Sequence, residues 1–360
     1  MPDLEILVVA NKRWECEPLV GVLTSQDAIP QAFKGLRFEA PCQPALNPPQ
    51  GPLPGGVAAR HAPWPPRPRL AFTFRTDRVT WKDDEPLVTS CTAAVEVWCI
   101  WDWMRTSASS SSSHEKWTQA LPAIKEHAFS GVAPDLVIAF GTAGLPGDDN
   151  ANGCVTIGSR VYVHDAFDAG RGTLPRRARR AEEALHGPLL ALDALPLEGM
   201  ERRKRRVYRA DDRLSGSFFQ HLPVAARQTA EARFLAPPVD PALPLRILSG
   251  RGYASIGTLN VTNYDDYVWA DAATERKFAA EIRQREIGSA ETTHGLIRLT
   301  WERTPFLFVS GLTDRLPHFN AQVTPRVYAQ NFAAAHNAGV ALAHLLAELP
   351  GMHLAGRLFL

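Results

Sequence analysis

Three carboxylates stand out in this sequence at the expected ends of separate strands. Glu15 follows the β-rich run 4–10 and the polar stretch Asn11-Lys12-Arg13-Trp14, and Glu291 sits among small residues in Ile287-Gly288-Ser289-Ala290-Glu291-Thr292-Thr293-His294-Gly295. Asp314 closes the run 306–310 after Gly311-Leu312-Thr313. Carboxyl groups donate and accept protons and accept hydrogen bonds, so three of them at the ends of separate strands suit cleavage of a polar bond. Glu15 has a plainer use as well, because an acidic residue at a helix start favours the helix dipole. Between them in sequence lies PDLVIAFGTAGLPG, residues 134–147. Residues 136–140 form an unbroken apolar run, and Gly141-Thr142-Ala143-Gly144 is expected to turn the backbone sharply after it. Glycines at 141 and 144 let a ligand approach the main chain, and Thr142 offers a hydroxyl beside free amides. The same four residues would also serve as a tight strand-to-helix turn that binds nothing.

Anion chemistry has its own candidates. Arg105 precedes a serine-rich stretch that includes Ser109 and runs to Ser113, just before a helical pattern. Hydroxyls, free amides and the helix dipole there can hold an anion, with Arg105 adding charge, or the stretch is a solvated loop. Two arginine clusters, at 176–180 and 202–206, could meet a polyphosphate or form a solvated helical face paired with Glu182, Glu183 and Glu201.

The elements that must position these groups follow from hydrophobic patterning. A strand over 4–10 leads through a polar loop into a helix over 18–23, and residues 136–140, apolar on both faces, suit the centre of an α/β sheet whose ligands gather at the carboxyl ends of the strands. Residues 70–74 and 79–81 read as paired strands around a polar turn, and 93–104 as another strand, carrying tryptophans at 98, 101 and 103 for a core or a subunit interface. Helices are expected over 114–129, 218–234 and 272–285, and strands over 154–164, 245–248, 253–261 and 306–310. An amphipathic closing helix over 325–349 packs down the sheet. Proline and glycine dominate 41–69, which marks a surface insertion or loop.

At 360 residues the chain can bury a sizeable core, in one large α/β domain or two smaller ones. The net charge of +1 gives no global pull toward nucleic acid or membrane. Five cysteines, odd in number and without a CxxC or Cys/His cluster, argue against a disulfide framework or structural zinc and point to a reducing cytoplasm. The apolar run 6–10 is too short for a signal segment or a membrane span, so the protein is expected to be soluble.

Four segments taken together resemble the purine nucleoside phosphorylase and nucleosidase superfamily, in particular its methylthioadenosine/S-adenosylhomocysteine nucleosidase branch: the first strand and loop with Glu15, PDLVIAFGTAG, the Ala290-Glu291-Thr292 turn, and the strand ending in Thr313-Asp314. The resemblance implies one α/β domain over 1–360, a twisted, mixed, partly barrel-like sheet flanked by helices, with insertions near 41–69 and 171–213. It implies that Asp314 protonates the purine ring at N7, that Glu291 accepts hydrogen bonds from the ribose hydroxyls, and that Glu15 activates the attacking water. Thr142, Ala143 and the amides around Gly144 would complete the floor. Ala290 departs from the methionine usual there. The base would lie against the 263–267 loop, with Tyr264 or Tyr267 stacking and Asn260 or Asn263 as a polar partner. Phosphorylases of the superfamily usually carry an arginine two residues before the central glycine, where this chain has Ala139; a fixed cation holds their phosphate, so its absence favours water as nucleophile. No cofactor or metal is implied. The expected partner is a small purine nucleoside or nucleotide, with no membrane and with nucleic acid disfavoured, in a homodimer or higher homo-oligomer. Arg105 and Ser109 would favour a nucleotide.

Overall fold

The computed structural model describes residues 2–25, 30, 33, 36, 38, 47, 67–82, 85–104, 116–145, 150–158, 160–164, 205–209, 224–242, 244–248, 258–261, 289–291, 293–301, 303–315 and 327–354. At its centre β1 (Leu4–Ala10), β3 (Glu85–Cys99), β4 (Leu136–Leu145) and β11 (Phe306–Arg315) run parallel, in the order β3-β1-β4-β11. Each is apolar where it crosses the centre because helices cover both faces. On one face Ile6, Val8, Ile138, Phe140, Leu307 and Val309 pack under α1 (Arg13–Thr24) and the long closing helix, named α5 below. On the other, Leu7, Val9, Val137, Ala139, Phe306 and Phe308 meet residues of α2 (Leu121–His127) and α4 (His294–Thr300).

Antiparallel strands extend this centre into a mixed sheet that curls as a half-barrel, the α/β layout expected from the sequence. β2 (Leu70–Lys82) pairs along β3; β5 (Val155–Gly158) pairs β11 and β8 (Ile247–Leu248). β6 (Arg160–His164) pairs β7 (Arg205–Arg209) and β9 (Thr258–Val261), which leads to β10 (Ala290–Glu291) and back to β4. α3 (Val224–Glu231) and α5 (Tyr328–Leu354) complete the described elements.

Several expected boundaries shift, each for a local reason. The helix expected from residue 18 begins at Arg13, so Glu15 lies inside its first turn and Pro18 in its interior; the Glu15 carboxylate supplies the capping interaction that lets it start early. Residues 70–82 form one strand without a turn at 75–78, since β3 pairs with it residue for residue from Val97 back to Glu85. β3 correspondingly starts at Glu85 and ends at Cys99, where a single turn, Ile100–Asp102, follows. The helix expected over 114–129 is broken into a π turn, Lys116–Ala120, then α2, then a tight turn at Ala128–Gly131 in which Phe129 and Ser130 have positive φ. The run 154–164 divides into β5 and β6, which pair with different neighbours. Arg205 and Arg206 lie on a strand rather than a helical face.

The glycine-containing run 141–145 does not turn: β4 continues to Leu145 because β11 pairs with it as far as Arg315. Asp314 is likewise within a strand. The closing helix is buried around most of its circumference rather than amphipathic, because α1 and α3 pack on it in addition to the strands of the sheet. Gly311 permits this close packing, since a Cβ there would lie 2.0 Å from the Ala334 carbonyl oxygen. The four described cysteines, 16, 91, 99 and 154, are buried. No helix of the described residues is long and apolar enough to cross a membrane.

Candidate active site

β1 ends level with Phe140, β4 and β11 run on together to Leu145 and Arg315, and the first turn of α1 meets this extension at Thr142. Glu15 is 2% exposed, and its two oxygens are held separately. Oε2 accepts the Lys12 backbone N–H at 2.9 Å, which caps the helix, while Oε1 accepts both the Thr142 N–H at 2.9 Å and the Thr142 hydroxyl at 2.7 Å. The Thr142 amide, expected to be free for a ligand, is thus taken by Glu15. Gly141 makes the approach possible, because a Cβ there would stand 3.3 Å from Glu15 Oε1. Burial pushes the Glu15 carboxyl above the ordinary carboxylate value; the Lys12 charge opposes this, the nearby Glu291 adds to it, and the two Thr142 bonds also oppose it.

Lys12 stands at the rim of this turn, its ammonium 5.0 Å from the centre of the Trp14 ring and 5.6 Å from that of Trp101. Beneath it Arg13 bonds Asp102 at 2.8 Å, and Arg69 grips both oxygens of the same buried aspartate. This ties α1 to the turn after β3.

Glu291 comes from the opposite side of β4. Its strand partner Ala290 lies beside Gly144, and Asn260 of β9 lies in register beside Glu291 itself. Glu291 Oε2 accepts the N–H groups of Thr293 at 2.5 Å and His294 at 2.7 Å. His294 is buried, its ring stacked on Phe308 and its Nε2 3.8 Å from Glu291 Oε2. Burial pushes its pKa down despite the opposing pull of Glu291, so the ring is neutral at physiological pH.

Asp314 reaches Gly144 from the other edge of β4. The register slips between Leu312 and Asp314, leaving Thr313 as the extra residue, so Asp314 rather than Thr313 stands opposite Gly144. Such a bulge re-aims a side chain. Asp314 is 2% exposed, its Oδ1 accepts the Thr313 hydroxyl at 2.5 Å, and the Thr313 carbonyl is held by Gln330 of α5 at 2.5 Å. Gly144 therefore has Ala290 and Glu291 on one flank and Asp314 on the other.

The structure brings together Glu15, Thr142, Gly144, Ala290, Glu291 and Asp314, and places Ala143, paired to Leu312, in a small apolar cluster behind them. Asn263, Tyr264, Tyr267, Arg105, Ser109 and the arginine cluster at 176–180 lie outside the described residues, as do most of the two expected insertions. Sequence reasoning missed Lys12, Thr293 and His294. It also missed Lys116, whose buried ammonium donates to the Thr293 hydroxyl at 2.8 Å. The signal for two of them was adjacent to Glu291, in Thr292-Thr293-His294 at a helix start. Ala139 is fully buried in mid-strand, among Val9, Val137 and Phe308. Among the described residues no group of His, Cys, Asp and Glu is arranged to hold a metal ion.

No protein-family model matches the sequence, and no curated protein matches it. Solved structures with a similar fold include the 5'-methylthioadenosine/S-adenosylhomocysteine nucleosidase of Neisseria meningitidis in complex with methylthio-immucillin-A, 14% identical over 96% of this chain and 99% of that one, with a TM-score of 0.44. The S-adenosylhomocysteine nucleosidase of Streptococcus pyogenes is 14% identical over 97% and 99%, with a TM-score of 0.45. The futalosine hydrolase of Helicobacter pylori is 12% identical over 96% and 98%, with a TM-score of 0.43.

Proposed function

We propose that this protein is an N-glycosidase that hydrolyses the bond between a purine and its ribose. The observation that carries this reading is the placement of three buried carboxyl groups at one end of the sheet, Glu15 beside Glu291 and Asp314 across Gly144 from them. Departure of a purine requires a proton on the base, charge stabilisation at the sugar and a nucleophile at C1', and three separately held carboxyl groups can supply these. Asp314 gives its proton to N7 as the C1'–N9 bond breaks and the bonding electrons pass to the base. Glu291 accepts hydrogen bonds from the ribose hydroxyls, which strengthen as positive charge grows on the sugar. Glu15 takes a proton from a water that bonds to C1', so free base and free ribose leave. Its raised pKa, still tempered by Thr142 and Lys12, makes it a stronger base than an exposed glutamate.

Water rather than phosphate is the nucleophile in this reading. Ala139 offers no cation, and its position is closed within the apolar core. The test is chromatography of purified protein with adenosine, methylthioadenosine, AMP and ATP, with and without phosphate. Free base from at least one substrate in phosphate-free buffer is expected. Base release only with phosphate would replace hydrolysis by phosphorolysis, and none from any substrate would refute glycosidase activity.

A further inference from the structure

Two carboxylates side by side in a buried site need positive charge or protons to offset their repulsion. Lys12 supplies charge near Glu15 from the rim. A second cation arrives from the opposite wall. Lys116 is 3% exposed and opens the π turn, Lys116–Ala120, that leads into α2, which packs on α4. Its Nζ donates to Thr293 Oγ1 at 2.8 Å, and the Thr293 N–H donates in turn to Glu291 Oε2 at 2.5 Å. Lysine is almost never buried without compensation, because stripping water from an ammonium is costly.

The other ionisable groups around this point have different commitments. Glu15 and Lys12 face it from α1, Glu291 from β10, and Asp314 stands beyond Gly144 on β11. From α4, His294 is neutral on Phe308, and Arg298 bonds the Trp301 carbonyl at 2.8 Å and lies 6.0 Å from the Phe306 ring.

We propose that Lys116 is a positioning residue of this site: acting through Thr293, it fixes the Glu291 carboxylate. This deepens the glycosidase reading and rests on it. Lys116→Met keeps the stem and removes both charge and donor; Thr293→Val keeps shape and removes the hydroxyl; Thr293→Ser keeps the hydroxyl. The assay is kcat and KM for the nucleoside or nucleotide that the wild type cleaves best. Lys116→Met and Thr293→Val are each expected to lower kcat/KM about 10- to 100-fold, as loss of a hydrogen bond to a charged group does. The double variant should be no worse than the poorer single one, because both changes break the same chain of contacts. Thr293→Ser should stay near the wild type. Because the hydrogen bonds that Glu291 accepts from the ribose strengthen as charge grows on the sugar, the loss should fall mainly on kcat rather than on KM.

Strictly additive losses, or a loss confined to KM, would overturn the proposal, as would a Lys116→Met enzyme with wild-type kinetics. If Lys116→Met does not fold by circular dichroism, the contrast between Thr293→Val and Thr293→Ser decides: equal activity in those two refutes the positioning role. A wild type that releases no base refutes the glycosidase reading. A wild type that turns over while Lys116→Met follows it in kcat and KM refutes the positioning role alone.

Discussion

Thr142→Val removes one oxygen and leaves the backbone in place. The lost hydroxyl donates to Glu15 Oε1 at 2.7 Å, while the Thr142 N–H at 2.9 Å and the Lys12 N–H on Oε2 are retained, so Glu15 keeps its position and loses one of three donors. A hydrogen bond to a charged group in a buried site contributes about 1.5–3 kcal/mol. If Glu15 is the base, that loss falls on the step it drives, giving a fall of about 10- to 100-fold in kcat/KM. The pH dependence supplies an independent sign. The Thr142 hydroxyl favours ionised Glu15 and so lowers its pKa; without it the raised pKa rises further. A base works only when ionised, so activity fails as pH drops through its pKa, and the acid limb of the Thr142→Val profile must lie at higher pH than in the wild type. Steady-state kinetics on a purine nucleoside across the acid range, with Thr142→Ser as control, measures both. A Thr142→Val enzyme with an unshifted acid limb and unchanged kcat/KM would refute the assignment of Glu15 as base.

Other expected outcomes follow from the same geometry. Asp314→Asn removes the proton donor beside Gly144 and should reduce base release by at least about 100-fold while calorimetry still detects nucleoside binding; turnover near wild type would remove Asp314 from the mechanism. Gly311→Ala places a Cβ 2.0 Å from the Ala334 carbonyl, so α5 must shift, and thermal or denaturant unfolding should report a loss of about 1–3 kcal/mol or more. We expect AMP or ATP to be cleaved with higher kcat/KM than adenosine and Arg105→Ala to erase that preference; equal values in the wild type would leave Arg105 and Ser109 without a catalytic use. Light scattering should give about twice the chain mass of 39.6 kDa at micromolar concentration, and a monomer would exclude the expected homodimer.

The sequence shows the strands of the centre because apolar runs such as 4–10 and 136–140 are constrained by burial on both faces. It shows Glu15 and Asp314 because each comes shortly after such a run, and Glu291 because it is the one acidic residue among small ones at a helix start. What it does not show is decided by partners distant in the chain. The run 141–145 looks like a loop by its glycines, yet continues as strand because β11 lies alongside it. Pro18 looks like a helix start, yet the Glu15 cap begins the helix at Arg13. Lys116 and Thr293 are separated by 177 positions, and nothing in the local pattern of either one signals the other. The bulge at Thr313, which sets Asp314 opposite Gly144, is likewise a property of the pairing with β4 and not of the strand alone.

The most direct test of three-carboxylate hydrolysis is to run the reaction in water enriched in oxygen-18, with phosphate present, and to analyse the sugar by mass spectrometry. Free ribose or ribose phosphate carrying one heavy oxygen at C1', formed by the wild type and lost in Glu15→Ala, is the predicted result. A sugar 1-phosphate without the label, or labelled sugar formed equally well by Glu15→Ala, would contradict it.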